Sequence, residues 1–170
     1  LIQHQKEHVL HCDVNPGDVL FYFTTCGWMM WNWLVSGLAS GATLLLYDGA
    51  PLYPDPGSLW RIAEKEKVKV FGTSAKYLSA LEKAGYHPRQ HVALDSVQSL
   101  LSTGSPLAPS SFDFVYTSIK EDLQLSSVAG GTDIVACFGA GNPILPVYRG
   151  ELQCRALGMN VDIFDQEGNA

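Results

Sequence analysis

Between Asp18 and Gly131 the chain alternates short apolar runs with longer segments of helical spacing, and this alternation constrains the fold more than any other feature. The runs are DVLFYFTT at 18–25, ATLLLYD at 42–48, VKVFGTS at 68–74, VQSLLSTG at 97–104 and LQLSSVAGG, which ends at Gly131. A strand with one wet face alternates apolar and polar residues. The first three runs barely do, as expected of strands covered on both faces. Between the runs lie WMMWNWLVSGLASG at 28–41, LWRIAEKEK at 59–67, AKYLSALEKAG at 75–85 and SSFDFVYTSI at 110–119, which read as helices. Pro109 suits a helix start and Gly85 a helix end. NPGD at 15–18 and PLYPDPGS at 51–58 read as a turn and a loop. The pattern predicts an α/β, layered fold with a mostly parallel sheet flanked by helices. Residues 148–170 carry short strand candidates and Gly turns. They predict a short antiparallel β region at the C-terminal end, with DQEGN as a hairpin turn. The expected division is an α/β core over 1–147 and the start of an antiparallel subdomain over 148–170.

Charge narrows the function classes. Seventeen acids against 11 basic residues give a formal net charge of −6, with no basic stripe. Nucleic acid and anionic membrane surfaces are therefore not the expected partners. The apolar stretch from Trp28 to Leu46 is interrupted by Asn32, Ser36, Gly37 and Ser40, so no membrane span is expected. Cys12, Cys26, Cys137 and Cys154 lie far apart and form no C-x-x-C pair, which predicts reduced thiols and a cytosolic protein. Charged residues make up only 16% of the chain, against about 25% in an ordinary soluble domain. Part of its surface is expected to pack against a further segment. His4, His8 and His11 have helical spacing and are expected on the solvent face of an amphipathic helix rather than around a metal. No G-x-S-x-G elbow is present, which argues against a serine hydrolase.

In parallel α/β sheets, ligands bind beyond the carboxyl ends of the strands. The segments there are Thr24–Trp28, Gly72–Lys76, Ser102–Pro106 and Gly130–Asp133, and they are rich in Gly, Ser and Thr. GGTD at 130–133 reads either as a tight turn or as a hydroxyl and carboxylate facing a phosphate and its metal. The segment at Ser74 reads equally as a helix N-cap, and STGSPLAP as a strand-to-helix turn.

The pieces also occur in a familiar order: GDVLFYFTTCGWMMWNWLVSGLASGATLLLYDG, a proline-rich loop, VKVFGTSAKYLSAL, LLSTGSPLAP, GGTDIV and DIFDQEGN. Taken together, over essentially the whole chain, they resemble the adenylate-forming acyl-CoA synthetases. The resemblance implies part of the large N-terminal domain of such an enzyme. It implies activation of an acid with ATP and Mg²⁺ to an acyl-adenylate, then transfer to coenzyme A as co-substrate. Gly104, Ser105 and Pro106 would lie along the adenine, although the family often has Glu where Ser105 stands. With Gly131 beside it, Thr132 would meet the α-phosphate. Asp133, where the family has Glu, would bind the metal. Gly130 stands where acetyl-CoA synthetases carry a Trp, and its small size would leave room for a longer acid such as acetoacetate. Trp28, Gly72 and Thr73 would border the acid.

By the same resemblance, the family's phosphate-gripping loop would precede residue 1. The ribose-binding Asp and the small domain with its catalytic Lys would follow residue 170. The chain is thus expected to be an internal fragment whose partner is the remainder of the parent polypeptide, and to be inactive alone. The alternatives are a non-catalytic truncated module and a synthetase for another short acid.

Overall fold

The computed structural model describes residues 1–170. Five strands, β1 (Val19–Tyr22), β2 (Thr43–Leu45), β3 (Val68–Ser74), β4 (Ser99–Thr103) and β5 (Gln124–Ser127), form one parallel sheet. Their spatial order is β2-β1-β3-β4-β5. Phe21 lies opposite Phe71, Thr73 opposite Ser102, and Ser102 opposite Ser127. The helices between them are α2 (Met29–Ser36), α3 (Ser58–Lys65), α4 (Ala75–Lys83) and α5 (Pro109–Phe114). An N-terminal helix, α1 (Ile2–Lys6), continues as a π-helical turn over Glu7–His11.

Both faces of the sheet are covered, which explains the weak alternation in the sequence. Successive strand residues point to opposite faces. Phe21, Phe71, Leu100 and Leu125 pack on one side with Trp60, Leu78, Leu81 and Ile119. Their neighbours Leu20, Val70 and Leu101 pack on the other with Trp33, Leu34 and Cys12. Trp60 of α3 stacks on Phe71, with ring centroids 4.4 Å apart and planes 9° from parallel. Local chemistry sets several boundaries. The Ser74 hydroxyl accepts the Tyr77 N–H at 3.2 Å and caps α4. Gly85, just past α4, has φ +61. Pro109 opens α5.

The structure departs from the sequence reading in three places. The helix expected over 28–41 stops at Ser36 and tightens into a 3₁₀ turn over Gly37–Ser40, closed by Gly41 in the left-handed region. The fifth run is not one strand. It splits at Val128, and β6 (Ala129–Gly131) turns away to pair antiparallel with β7 (Ala136–Ala140). The two glycines offer no side chains to hold the segment in the first sheet. The antiparallel sheet therefore begins well before residue 148 and takes from the last 23 residues only β8 (Cys154–Arg155). Asp165 does close a turn over DQEGN, its Oδ1 accepting the N–H groups of Glu167 and Asn169. No strand flanks that turn. No helix is long and apolar enough to cross a membrane.

Leu100 is fully buried in the middle of the sheet, within the larger core cluster. Leu100→Ala is expected to lower the unfolding free energy by about 2–5 kcal/mol, through lost transfer energy and the cavity left behind. Urea denaturation of the two forms measures the difference.

Candidate functional site

The carboxyl ends of β4 and β5 meet the small antiparallel sheet along two adjoining cavities. One, of about 310 Å³, is bordered by Trp28, Met29 and Trp33 around the start of α2, by Thr103 and Gly104 past β4, and by Gly130, Gly131 and Thr132. The other, of about 400 Å³, is bordered by Gly104, Ser105, Pro106, Ser127, Gly130 and Phe138. Thr103, Gly104, Val128 and Gly130 belong to both walls. Two spaces thus lie side by side, with almost no side chain between them at the two glycines.

Backbone geometry explains these glycines. Gly104 has φ +90, a conformation that favours glycine, and space lies open around it. Gly130 sits at an irregularity in the β6–β7 pairing, between Ala129 and Gly130. A Cβ there would lie 2.4 Å from the Ala136 carbonyl oxygen and 2.9 Å from Cys137 Cα. The close approach of β7 thus requires a glycine at 130 whatever fills the cavity. At Gly131, by contrast, a Cβ would meet nothing within 4 Å.

Of the residues singled out in the sequence, Trp28, Gly104, Gly130, Gly131 and Thr132 border the first cavity, and Ser105 and Pro106 the second. Asp133 lies just beyond, exposed in the turn that the Val135 N–H closes onto the Thr132 carbonyl. Gly72 and Thr73 border neither. Gly72 makes way for the Tyr22 ring, which a Cβ would overlap, and the Thr73 carbonyl accepts the Tyr22 hydroxyl at 2.8 Å. Tyr22 in turn meets Trp33 edge-on at 6.0 Å. No cluster of three or more His, Cys, Asp or Glu side chains is placed to hold a metal. A single exposed carboxylate such as Asp133 still suits Mg²⁺, which takes one or two carboxylates and fills its shell with phosphate oxygens and water.

The histidines overturn their sequence reading. His4, His8 and His11 are buried, whereas Ile2, Val9 and Leu10 are exposed. The face of the N-terminal helix that turns inward is the polar one. It stays inward because nearly every polar atom on it has a partner there, His8 Nδ1 excepted. His4 Nε2–H donates to the Val135 carbonyl, and Nδ1 lies 3.0 Å from Ser36 Oγ. His8 Nε2–H donates to the Trp33 carbonyl at 2.9 Å. His11 Nδ1–H donates to the Gly141 carbonyl at 2.6 Å, and its Nε2 accepts the Leu157 N–H at 3.0 Å. Between them Glu7, 2% exposed, accepts the Trp33 indole N–H at 2.9 Å and the Cys137 N–H at 3.3 Å. Glu7 and His11 both reach the first cavity, and neither was foreseen as a site residue. The signal was present: positions 4, 7, 8 and 11 form one helical face, the spacing normally used to locate a buried face.

Burial dominates the electrostatics. It lowers the His8 pKa from 6.5 to about 4, with the bond to the Trp33 carbonyl opposing. It pushes the Cys137 thiol up to about 12, with the Glu7 charge adding to the effect, and raises Cys12 as well. These thiols are protonated and unreactive near neutral pH. All four cysteines are unpaired.

Comparison with known proteins bears on the fold. No protein-family model matches the chain. The acetoacetyl-coenzyme A synthetase of Rhizobium meliloti (strain 1021) is 57% identical over 168 residues, covering 99% of this chain and 26% of that protein. The acetoacetyl-CoA synthetase of Mus musculus is 50% identical over 170 residues, covering 100% of this chain and 25% of that protein. Among solved structures, the acetoacetyl-CoA synthetase from Streptomyces lividans superposes with a TM-score of 0.91 at 46% identity, over 99% of this chain and 26% of that one. The fold is that of a segment of an acyl-CoA synthetase. Within that class the chain is similar over nearly its whole length to acetoacetyl-CoA synthetases, and it spans about a quarter of the length of these relatives.

Gly130→Ala should destabilise the fold by about 1–3 kcal/mol through overpacking against β7, whereas Gly131→Ala should leave the urea midpoint nearly unchanged. His8 binds its proton less readily when folded than when unfolded. Its contribution is therefore complete above pH 6.5 and lost as the pH falls towards about 4, by about 3 kcal/mol. His8→Gln should flatten that part of a plot of stability against pH.

Proposed function

We propose that the protein carrying this chain is an acid–thiol ligase that activates acetoacetate with ATP and passes it to coenzyme A. The products are acetoacetyl-CoA, AMP and pyrophosphate. The observation that carries this reading is the pair of cavities sharing Gly104 and Gly130. An acid in one and a nucleotide in the other would sit side by side with no bulky group between them. Adenylate formation needs that proximity: a carboxylate oxygen attacks the α-phosphorus and the bond to pyrophosphate breaks. In the second half-reaction the coenzyme A sulfur attacks the acyl carbon and AMP leaves.

In this reading Gly104, Ser105 and Pro106 receive the adenine, with Pro106 offering a flat apolar surface. Gly131 allows a close backbone approach, and the Thr132 hydroxyl donates to the α-phosphate. Asp133 would hold Mg²⁺, which supplies neutralisation of phosphate charge. Trp28 covers the acid. Gly130 serves the same space by leaving it empty. Gly72 and Thr73 act from behind by seating Tyr22 against Trp33. A division into an α/β core and a small β subdomain belongs to the same proposal, as do the cytosolic location and the remainder of the parent polypeptide as partner. The high identity to acetoacetyl-CoA synthetases favours acetoacetate over other short acids.

The test is acetoacetate-dependent exchange of pyrophosphate into ATP. The full polypeptide should catalyse it, and Asp133→Asn should slow it about 100-fold, the usual scale for losing one charge-stabilising group. The 170-residue chain alone should show none, because none of its Lys or Arg residues borders either cavity. Acetoacetate-independent exchange, or robust exchange by the chain alone, would overturn the reading.

A further inference from the structure

The acid cavity has a charged residue in its buried wall. Thr132 and Gly104 are exposed where they border it, whereas Glu7 is among its most buried residues and does not border the nucleotide cavity. The Glu7 carboxylate accepts three hydrogen bonds: from the Trp33 indole N–H, from the Cys137 N–H and from the Gln3 amide at 3.2 Å. An acceptor-only pattern of this kind is that of an ionised carboxylate. One countercharge is near. Lys6 Nζ is 3.8 Å away, but it donates at 2.7 Å to the Leu157 carbonyl. The imidazole of His11, the other titratable ring at the cavity, has both nitrogens engaged with backbone.

We propose that Glu7 is a specificity-determining residue that excludes acids carrying a second negative charge at the end remote from the reacting carboxylate. The inference rests on the acid-activating reading of the cavity. An acid whose carboxylate faces Thr132 directs its other end towards Glu7. A neutral methyl ketone or a primary amide meets the carboxylate without a charge penalty, and the amide can donate to it. A second carboxylate meets a like charge in a partly desolvated site, where such a pair is strongly unfavourable. Selection by repulsion separates acids of equal size and shape, which an apolar wall distinguishes poorly.

Acetoacetate, malonamate and malonate form a nearly isosteric series ending in methyl, amide and carboxylate. Pyrophosphate exchange by the full polypeptide, read as kcat/KM, should rank the first two well above malonate, by on the order of 100-fold. Glu7→Gln should reduce the preference for acetoacetate over malonate at least about tenfold. Lys6→Gln, which removes the countercharge, should increase it. Opposite shifts in this internal ratio distinguish a charge filter from a structural role, which would lower both rates together. No exchange with acetoacetate in the unaltered protein would sink the functional reading itself. Exchange with acetoacetate accompanied by equal use of malonate, equal rejection of malonamate and malonate, or a ratio unmoved by the substitutions would overturn the role of Glu7 alone. If Glu7→Gln does not fold, the unaltered protein with the three acids and Lys6→Gln still decide the matter.

Discussion

Parallel pairing forces every strand of the main sheet to end on the same edge, and the rest of the molecule is arranged around that fact. Each strand must be followed by a crossover that starts from that edge. The segments leaving β3, β4 and β5 therefore converge whatever their sequences. The in-register row of Thr73, Ser102 and Ser127 marks the level at which they leave. Just beyond it the chain uses Gly, Ser, Thr and Pro, residues that allow tight turns and leave backbone accessible. The two cavities are the space between these exits and the small antiparallel sheet that closes over them.

That small sheet is held down by polar contacts more than by apolar area. Its own apolar cluster contains only Cys137, Ala140 and Ala156 as buried members. The N-terminal helix supplies the remainder. His4 reaches Val135 in the β6–β7 turn, Glu7 the Cys137 amide of β7, and His11 both Gly141 and Leu157. The same side chains hold α2 through Trp33 and Ser36. One helical face thus ties together the wall, the floor and the covering sheet of the first cavity. Loss of a member leaves its buried partner unsatisfied, which makes such a network sensitive to single changes.

Much of the main sheet was legible in the sequence because burial on both faces writes itself as near-continuous apolar runs. VKVFGTS reads as a strand and forms one over those same residues. The antiparallel sheet was not legible. ACFGA, the sequence of β7, is too small and mixed to show a period of two, and β6 is held by what covers it. The cavity borders were partly legible, since GGTD and STGSP announce unusual backbone. Glu7, His8 and His11 escape a sequence reading because polar residues ordinarily face solvent. Their spacing indicated a buried face, and only the long-range partners, from 25 to 146 positions away along the chain, make that burial tolerable.

The wall between the two cavities has a consequence for how such a site can change over generations. At Gly104 and Gly130 there is no side chain to exchange for a slightly larger or smaller one. Left-handed backbone restricts the first position, and the approach of β7 closes the second. Trimming or enlarging a residue at the boundary is therefore open only to a chain that pairs β6 with β7 differently. While this pairing is kept, drift in ligand preference is channelled to the buried wall of the first cavity, where Trp33, Cys137 and the N-terminal helix meet. Change at Gly130 itself marks a rebuilt sheet rather than a single exchange.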